Sequence, residues 1–253
     1  MNLAEIWRHP VKSLGAEQMQ QVVLEAGKPM PWDRVWAIAH GASTYDPAAP
    51  AWQPRKNFIA QAHVPEVVRI AAQYDEAASA LRLTHPRRPD LTVSPGTEAG
   101  GAALTDWAAP LAEGQRPGPY VIAHVPGHAL ADMPDPWVSV LSLASLRALS
   151  QHAGQHLDPR RFRGNLWLDG GAAWEEEDWP GEILSIGPVR LRVIERIERC
   201  RATEANPAKG TRDIETLQVL RATRGSPEFG IYAEVIEGGK IAVGDSAGLA
   251  SGA

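Results

Sequence analysis

Cysteine is almost absent from this chain, since Cys200 is the only one in 253 residues. A lone thiol cannot form an internal disulfide or complete a four-cysteine zinc site. Three roles remain for Cys200: core packing, nucleophilic chemistry, or a single thiolate bond to a soft metal centre. The sequence also lacks a P-loop, a Gly-x-Gly-x-x-Gly fingerprint and a Gly-x-Ser-x-Gly elbow. These absences argue against nucleotide hydrolysis, a Rossmann dehydrogenase and a standard serine hydrolase.

Excess positive charge and long apolar runs are missing as well. The net charge of −5 argues against a general nucleic-acid binder, so an anionic ligand would need a local cluster of Arg and Lys. No apolar stretch reaches membrane-spanning length, and the first residues lack the pattern of a signal peptide. Together with the single cysteine, these absences predict a cytoplasmic protein with no nucleic-acid and no membrane partner.

Short β-rich runs between turn residues dominate what is present. In the first half, strands are predicted at 18–24, 34–39, 67–74 and 80–84. Three prolines indicate a loop at 41–56. Apolar spacing at 104–111 predicts a helix, which Pro110 limits to about two turns.

A cluster of prolines at 117–136 marks the predicted boundary between two domains, at 1–125 and 126–253. A helix follows this boundary. Ser142 can cap its N-terminus, and Gly154 ends it.

The remainder of the second half again reads as strands, predicted at 165–168, 189–197, 231–236 and 241–243. Gly238 and Gly239 indicate a hairpin turn between the last two strands. A further short helix is predicted at 214–220, and the small, polar tail at 246–253 is expected to fray. Many short strands with few helices predict a mainly β protein of the β-barrel type.

The neighbours of Cys200 pose a physical question. Arg199 and Arg201 flank it, and a nearby guanidinium favours the thiolate. Side chains alternate along a strand, however, so the strand-like sequence predicts that both arginines point away from the thiol. Activation would then come from elsewhere in the chain or from a bound metal, and an inert buried thiol remains the alternative.

Three basic groups are placed where loops meet strands: Lys12 with Ser13, Arg34, and the run 160–163 before Asn165. Arg forks and Lys suit phosphate oxygens, and loops at strand ends are natural binding sites. A solvated surface charge is the alternative for each group taken singly. The acidic run 175–178 is expected to be a solvated turn.

Taken in order, several fragments resemble the MOSC family, named for the C-terminal domain of molybdenum cofactor sulfurase. The closest likeness is to two-part members such as the amidoxime-reducing component and its bacterial relatives. The fragments are Ile6 to Ser13, Trp32 to Trp36, Arg161 to Asn165, the acidic pair Glu176-Glu177 before Trp179, Arg199 to Thr203 with Asn206-Pro207, and Gly239 to Asp245. The sequence departs from the family pattern at Gly164, often proline, at Glu198, often a second cysteine, and in the loop at 46–56.

This resemblance implies a MOSC-type β-barrel packed with an N-terminal β-barrel-like domain, mainly β with some α. It also implies a molybdenum-molybdopterin cofactor (Mo cofactor), with Cys200 as the metal ligand and catalytic residue. The cofactor-binding residues that it implies are Lys12, Ser13, Arg34, Arg163 and Asn165. The pair Arg55 and Lys56 could also reach the cofactor.

The leading functional hypothesis is an oxidoreductase that reduces small N-hydroxylated substrates at the N–O bond. Glu176 or water could supply its protons. No cysteines remain for an iron–sulfur domain, so the electrons are expected from a separate ferredoxin, cytochrome or flavin reductase. The alternatives are a protein that carries molybdenum cofactor or sulfur to another enzyme, and a β-barrel that binds a phosphorylated metabolite with Cys200 inert.

Overall fold

The computed structural model describes residues 1–250. Its strands are β1 Asn2–Arg8, β2 Glu17–Met19, β3 Gln21–Leu24, β4 Trp36–Ala39, β5 Ala71–Asp75, β6 Ala80–His85, β7 Arg88–Val93, β8 Val121–His124, β9 Val138–Ser142, β10 Leu166–Asp169, β11 Ile183–Ile186, β12 Val189–Glu198, β13 Glu228–Glu237, β14 Gly239–Ala242 and β15 Ala247–Leu249. Its α-helices are α1 Glu98–Ala112, α2 Leu143–His152 and α3 Thr216–Arg224. The five short 3-10 helices are Arg55–Asn57, Pro65–Arg69, Pro159–Arg161, Glu175–Asp178 and Arg201–Glu204. The protein is therefore mainly β with some α, as predicted.

One eight-stranded sheet organises the second half of the chain, in the order β15-β11-β12-β13-β9-β10-β1-β2. All of its pairs are antiparallel except β9 with β10. Alternate apolar side chains of these strands form a core that includes Leu3, Ile6, Leu191 and Ile231. The first two strands of the chain thus complete a sheet built from its C-terminal half, and β3 likewise pairs with β14.

The remaining N-terminal elements form smaller sheets. β4 pairs with β8, and β5, β6 and β7 form a three-stranded antiparallel sheet beside α1. Their shared core contains Leu104 and Trp107 from α1, with Trp36 and Leu83 from the strands. The chain crosses between the two cores several times, which brings the turns after β1 and before β4 close to the ends of β10 and β12. The predicted boundary between 125 and 126 stays a prediction.

The helix after the proline cluster agrees with the sequence prediction. The Ser142 hydroxyl accepts a hydrogen bond from Ser145 N, and α2 runs from Leu143 to His152, just before Gly154. The Ser142 cap satisfies a free N–H of the first turn, while Gly154 takes the left-handed conformation (φ 67°) that follows the last turn.

Two predictions in the N-terminal half were wrong. α1 is a 15-residue helix with Pro110 inside it, because the Thr97 cap and the burial of Leu104 and Trp107 outweigh one lost hydrogen bond near its end. The run 67–74 begins as a 3-10 helix at Pro65, whose fixed φ favours a helical start, and becomes strand only at Ala71.

Two predictions near the C-terminus were also wrong. The pair Gly238-Gly239 does not close a hairpin, because β14 leaves β13 and pairs with β3. A Cβ at Gly238 would lie 2.5 Å from the Leu24 carbonyl oxygen, so the glycine permits this close approach. Part of the tail expected to fray forms β15 against β11, while residues 251–253 lie outside the described residues. Among residues 1–250, no helix is both long and apolar enough to span a bilayer.

Candidate functional site

A cleft of about 770 Å³ lies where the two cores approach each other. It brings together all six residues predicted for the site: Lys12, Ser13, Arg34, Arg163, Asn165 and Cys200. We refer to Lys12, Ser13 and Arg34 as the N-terminal wall. Arg163, Asn165, Arg199 and Cys200 form the C-terminal wall.

The N-terminal wall is built from two tight turns in which Ser13 (φ 65°) and Arg34 (φ 53°) adopt left-handed backbone conformations. Lys12 is buried, and its Nζ donates to Asp132 Oδ1 at 2.6 Å and to the Leu130 carbonyl at 2.8 Å. Burial lowers the pKa of Lys12 from its ordinary value, and the Asp132 carboxylate counteracts this. The lysine charge is therefore already matched by a carboxylate at the mouth of the cleft.

A buried network fixes Arg34. Its guanidinium pairs with Asp33, and its Nη2 donates to the Arg163 carbonyl at 2.8 Å. Asp33 in turn accepts a hydrogen bond from His9 N at 2.7 Å. Burial, together with the charge of Arg163, lowers the pKa of His9 to about 3, so His9 is neutral at physiological pH.

Within residues 1–250, Arg163 of the C-terminal wall has no carboxylate partner. Its Nη1 donates to the Gly15 carbonyl at 2.9 Å, and its Nη2 to the Val11 carbonyl at 3.3 Å. Burial and the neighbouring Arg34 lower the pKa of Arg163 to about 9, which still leaves it charged at neutral pH. A positive charge held by carbonyl oxygens alone is suited to attract an anion.

Asn165 connects the C-terminal wall to the neighbouring strands. Its Oδ1 accepts from Ser139 Oγ at 2.8 Å, and its Nδ2 donates to the Trp7 carbonyl at 3.2 Å. Because both ends of the amide already have protein partners, the structure favours an orienting role in which Asn165 joins β1, β9 and the turn that carries Arg163.

Cys200 is a half-buried free thiol at the start of a short turn. The strand premise behind the expectation for its neighbouring arginines was wrong, because β12 ends at Glu198 and strand alternation does not apply to residues 199–201. Arg199 lines the same cleft as the thiol. Arg201 lies mostly exposed and pairs with Glu204.

Arg199 is held rigidly. Its Nε donates to the Phe229 carbonyl at 2.7 Å and its Nη1 to the Phe162 carbonyl at 3.0 Å, while the guanidinium lies 5.8 and 5.9 Å from the centres of the two phenylalanine rings. Its buried Nη2 has no partner within residues 1–250. Burial lowers the pKa of Arg199 to about 10, so the group remains charged.

Several cleft residues were not singled out from the sequence. Asp132 comes from the loop before β9, and Trp137 and Tyr232 form an aromatic pair with ring centres 5.8 Å apart. Arg55 also lines the cleft, which supports the weaker sequence expectation for it, and its Nη1 lies 3.4 Å from Asp132. Only their proximity in the fold reveals Asp132, Trp137 and Tyr232, because no local motif surrounds them.

The acidic run 175–178 was predicted to be solvated, and this was wrong for two of its residues. Glu176 is buried and accepts a hydrogen bond from Ser145 Oγ at 2.8 Å, and Glu177 is buried against Arg224. Burial raises the pKa of Glu176 to about 7. The residues that line the cleft do not include Glu176, so its geometry does not support the suggested role as a proton source there.

The cleft fits a large anionic ligand that also brings most of its own metal ligands. Its two guanidiniums without carboxylates, Arg163 and Arg199, leave positive charge for the ligand to match. Within residues 1–250, no group of three or more His, Cys, Asp or Glu side chains could hold a metal ion. A metal at Cys200 would therefore need further ligands from a cofactor.

Fold and site together define a mainly β protein whose two parts enclose a cationic cleft with a single thiol. The family model of the MOSC domain matches residues 127–247, and that of the MOSC N-terminal beta barrel domain matches residues 1–109. The chain belongs to the MOSC family.

The chain is similar to proteins of two kinds. Mitochondrial amidoxime reducing component 2 of Bos taurus is 34% identical over 120 residues, which cover 43% of this chain and 35% of that protein. Molybdenum cofactor sulfurase of Drosophila yakuba is 34% identical over 94 residues, 37% of this chain and 12% of that protein. The matched region thus spans about a third or less of these relatives. Among solved structures, the YUAD protein from Bacillus subtilis aligns over 97% of this chain and 92% of its own, with a TM-score of 0.45 and 12% identity.

Proposed function

We propose that this protein is a molybdenum-cofactor-dependent reductase of N-hydroxylated compounds, with Cys200 as the thiolate ligand of the metal. One observation carries the proposal. Arg163 and Arg199, two guanidiniums without a carboxylate partner in the described part of the chain, share a cleft with the only cysteine of the sequence. The similarity to an amidoxime reducing component supports the choice of reaction.

When bound, a molybdenum cofactor supplies two-electron redox chemistry. Cys200 offers the soft thiolate that such a metal prefers, from a half-buried position in the cleft. Lys12, Ser13, Arg34 and Arg163 supply donors for phosphate and pterin oxygens. Asn165 and the His9–Asp33 pair keep these donors in place.

The overall reaction requires two electrons and two protons. The N–O bond breaks, one proton goes to the nitrogen, and the other joins the departing hydroxyl to form water. A separate ferredoxin, cytochrome or flavin reductase would supply the electrons. Burial raises the pKa of Tyr232 above its ordinary value, so this cleft hydroxyl keeps its proton at neutral pH and can donate a hydrogen bond to the substrate.

The first test is the molybdenum and pterin content per chain, in wild type and in Cys200→Ser, from a host that makes the cofactor. We expect near-stoichiometric metal in wild type and its loss or altered coordination in the variant. The loaded wild type should then reduce an amidoxime with an artificial reductant. Absence of molybdenum from both proteins, in a host that loads other molybdenum enzymes, would overturn the proposal.

A carrier of molybdenum cofactor or sulfur is the second candidate. The similarity to molybdenum cofactor sulfurase favours it, and Cys200 could then hold a persulfide. Such a carrier would release cofactor to an acceptor protein and would not turn over an amidoxime. Turnover that depends on Cys200 therefore separates the two functions.

A further inference from the structure

Hydrogen bonds from within the turn and from two distant segments of the chain hold the turn that carries Cys200. Within the turn, the Thr203 hydroxyl donates to the Cys200 carbonyl at 3.0 Å. From the same half of the chain, Arg161 Nη1 donates to the Glu204 carbonyl at 3.1 Å. From the N-terminal part, Gln61 Nε2 donates to the Ala202 carbonyl at 2.7 Å.

Gln61 reaches the turn from a rigid position. It is buried, it lines the cleft, and it follows a segment in which Ile59 N donates to the Ile38 carbonyl of β4 at 2.8 Å. The next residue, Ala62, accepts a hydrogen bond on its carbonyl from Arg212 Nη2 at 2.5 Å. The segment therefore meets the loop beyond Cys200 at two adjacent residues.

The orientation of the Gln61 amide follows from chemistry. The Ala202 carbonyl can only accept, so the nitrogen of the amide must face it, and Oε1 must point the other way. That buried Oε1 has no partner within the part of the chain that the structure describes. A buried acceptor without a partner disfavours folding, so the stability of the protein does not explain a glutamine here.

The Ala202 carbonyl does not need Gln61 for its own satisfaction either. It already accepts from Ala205 N at 3.2 Å within the turn. The Gln61 hydrogen bond instead fixes the distance between the N-terminal part and Ala202, two residues beyond the thiol.

We propose that Gln61 is a positioning residue that sets where the Cys200 turn lies, and so where the thiol meets a ligand in the cleft. This inference rests on the proposed function only for the role given to Cys200.

The test uses the free thiol of the cofactor-free protein. Since Cys200 is the only cysteine, its alkylation by iodoacetamide reports on this position alone. In Gln61→Leu the turn loosens, and we expect alkylation to be about fivefold faster across the pH range tested, the effect of losing one hydrogen bond of typical strength. The unfolding temperature should equal or exceed that of wild type.

Gln73→Leu is the matched control, because Gln73 is exposed on β5, and it should alkylate at the wild-type rate. A folded Gln61→Leu with the wild-type alkylation rate would overturn the inference, as would an equal change in the control. If Gln61→Leu does not fold, Gln61→Asn, which is too short to reach Ala202, decides in the same way. Molybdenum content of the wild type tests the proposed function separately, because the alkylation result holds whether or not the metal binds.

Discussion

On the N-terminal wall of the cleft each cation faces a carboxylate, whereas on the C-terminal wall backbone carbonyl oxygens hold the guanidiniums. Lys12 pairs with Asp132, and Arg34 pairs with Asp33. Arg163 and Arg199 donate to carbonyl oxygens without a carboxylate partner. The same residue types therefore stand in opposite electrostatic settings a short distance apart.

This difference separates two tasks. An anion that binds at Lys12 must compete with Asp132, which lowers its affinity. The same ion pair, however, holds the lysine in a defined position. An anion that binds at the C-terminal wall meets guanidiniums that form no salt bridge with a carboxylate of residues 1–250, at donors that are already oriented. For an anion bound in the cleft, we therefore expect the C-terminal wall to supply most of the binding free energy and the N-terminal wall to determine its shape complementarity.

Acid should destabilise the protein through His9, whose partner Asp33 holds Arg34 of the N-terminal wall, and this is the largest effect we expect. Because the pKa of His9 in the folded protein, about 3, lies below its ordinary value of 6.5, the stabilisation is present above pH 6.5 and is lost as the pH falls toward 3. One such group lowers the free energy of unfolding by about 1.4 kcal/mol per pH unit within that window. Urea unfolding of wild type and His9→Gln at pH 7, 6, 5 and 4 measures this slope.

In His9→Gln, the free energy of unfolding should fall less steeply with decreasing pH, by the contribution of the one proton that His9 binds on unfolding. His156→Gln, at an exposed position just after the end of α2, serves as the control and should retain the full wild-type slope. Equal slopes in wild type and His9→Gln would mean that His9 does not link the N-terminal wall to pH.

Removing a guanidinium from the C-terminal wall should weaken anion binding strongly. For Arg163→Met we expect the affinity for inorganic pyrophosphate to fall by about tenfold to a hundredfold, as for the loss of charged hydrogen bonds. Isothermal titration calorimetry measures it. Arg190→Met, a change at a half-exposed arginine of β12 that pairs with Glu237, should bind like wild type. Unchanged binding in Arg163→Met would contradict the importance assigned to the C-terminal wall.

Removing the Asp132 carboxylate from the N-terminal wall should change stability and anion affinity least. In Asp132→Asn, Lys12 loses its half-exposed partner, so we expect a loss of about 1 kcal/mol in the free energy of unfolding. Pyrophosphate should bind about fivefold more tightly, because it no longer competes with the carboxylate. Thermal unfolding with and without pyrophosphate checks both. Weaker binding in the variant would show that Asp132 assists the ligand instead of competing with it.

Parts of the fold that depend on neighbouring residues were predictable. The cap at Ser142 and the left-handed Gly154 define α2 through contacts within a few residues, and the alternating burial of β12 follows from its sequence. The wrong predictions fall where distant partners decide. Pro110 stays in α1 because the helix packs into the N-terminal core, and β14 pairs with β3 from the far end of the chain.

The candidate site divides in the same way. Lys12, Arg34, Arg163 and Cys200 were recognisable from residue type and family resemblance. The setting of Arg199 was missed because strand alternation was applied to residues 199–201, which lie beyond the end of β12, and Asp132 and Gln61 carry no signal in their local sequence. Their roles appear only once the loops are placed against each other.

The sequence by itself determined the mainly β character, the capped helix and the supply of cations and one thiol, because local periodicity and side-chain chemistry decide these. Only the tertiary structure decided which cations pair with a carboxylate and which pair with backbone carbonyl oxygens. That outcome depends on contacts such as Lys12 with Asp132 and Arg163 with the Gly15 carbonyl, between residues more than a hundred positions apart. Strand pairing across the two cores creates those contacts, and no local pattern encodes it.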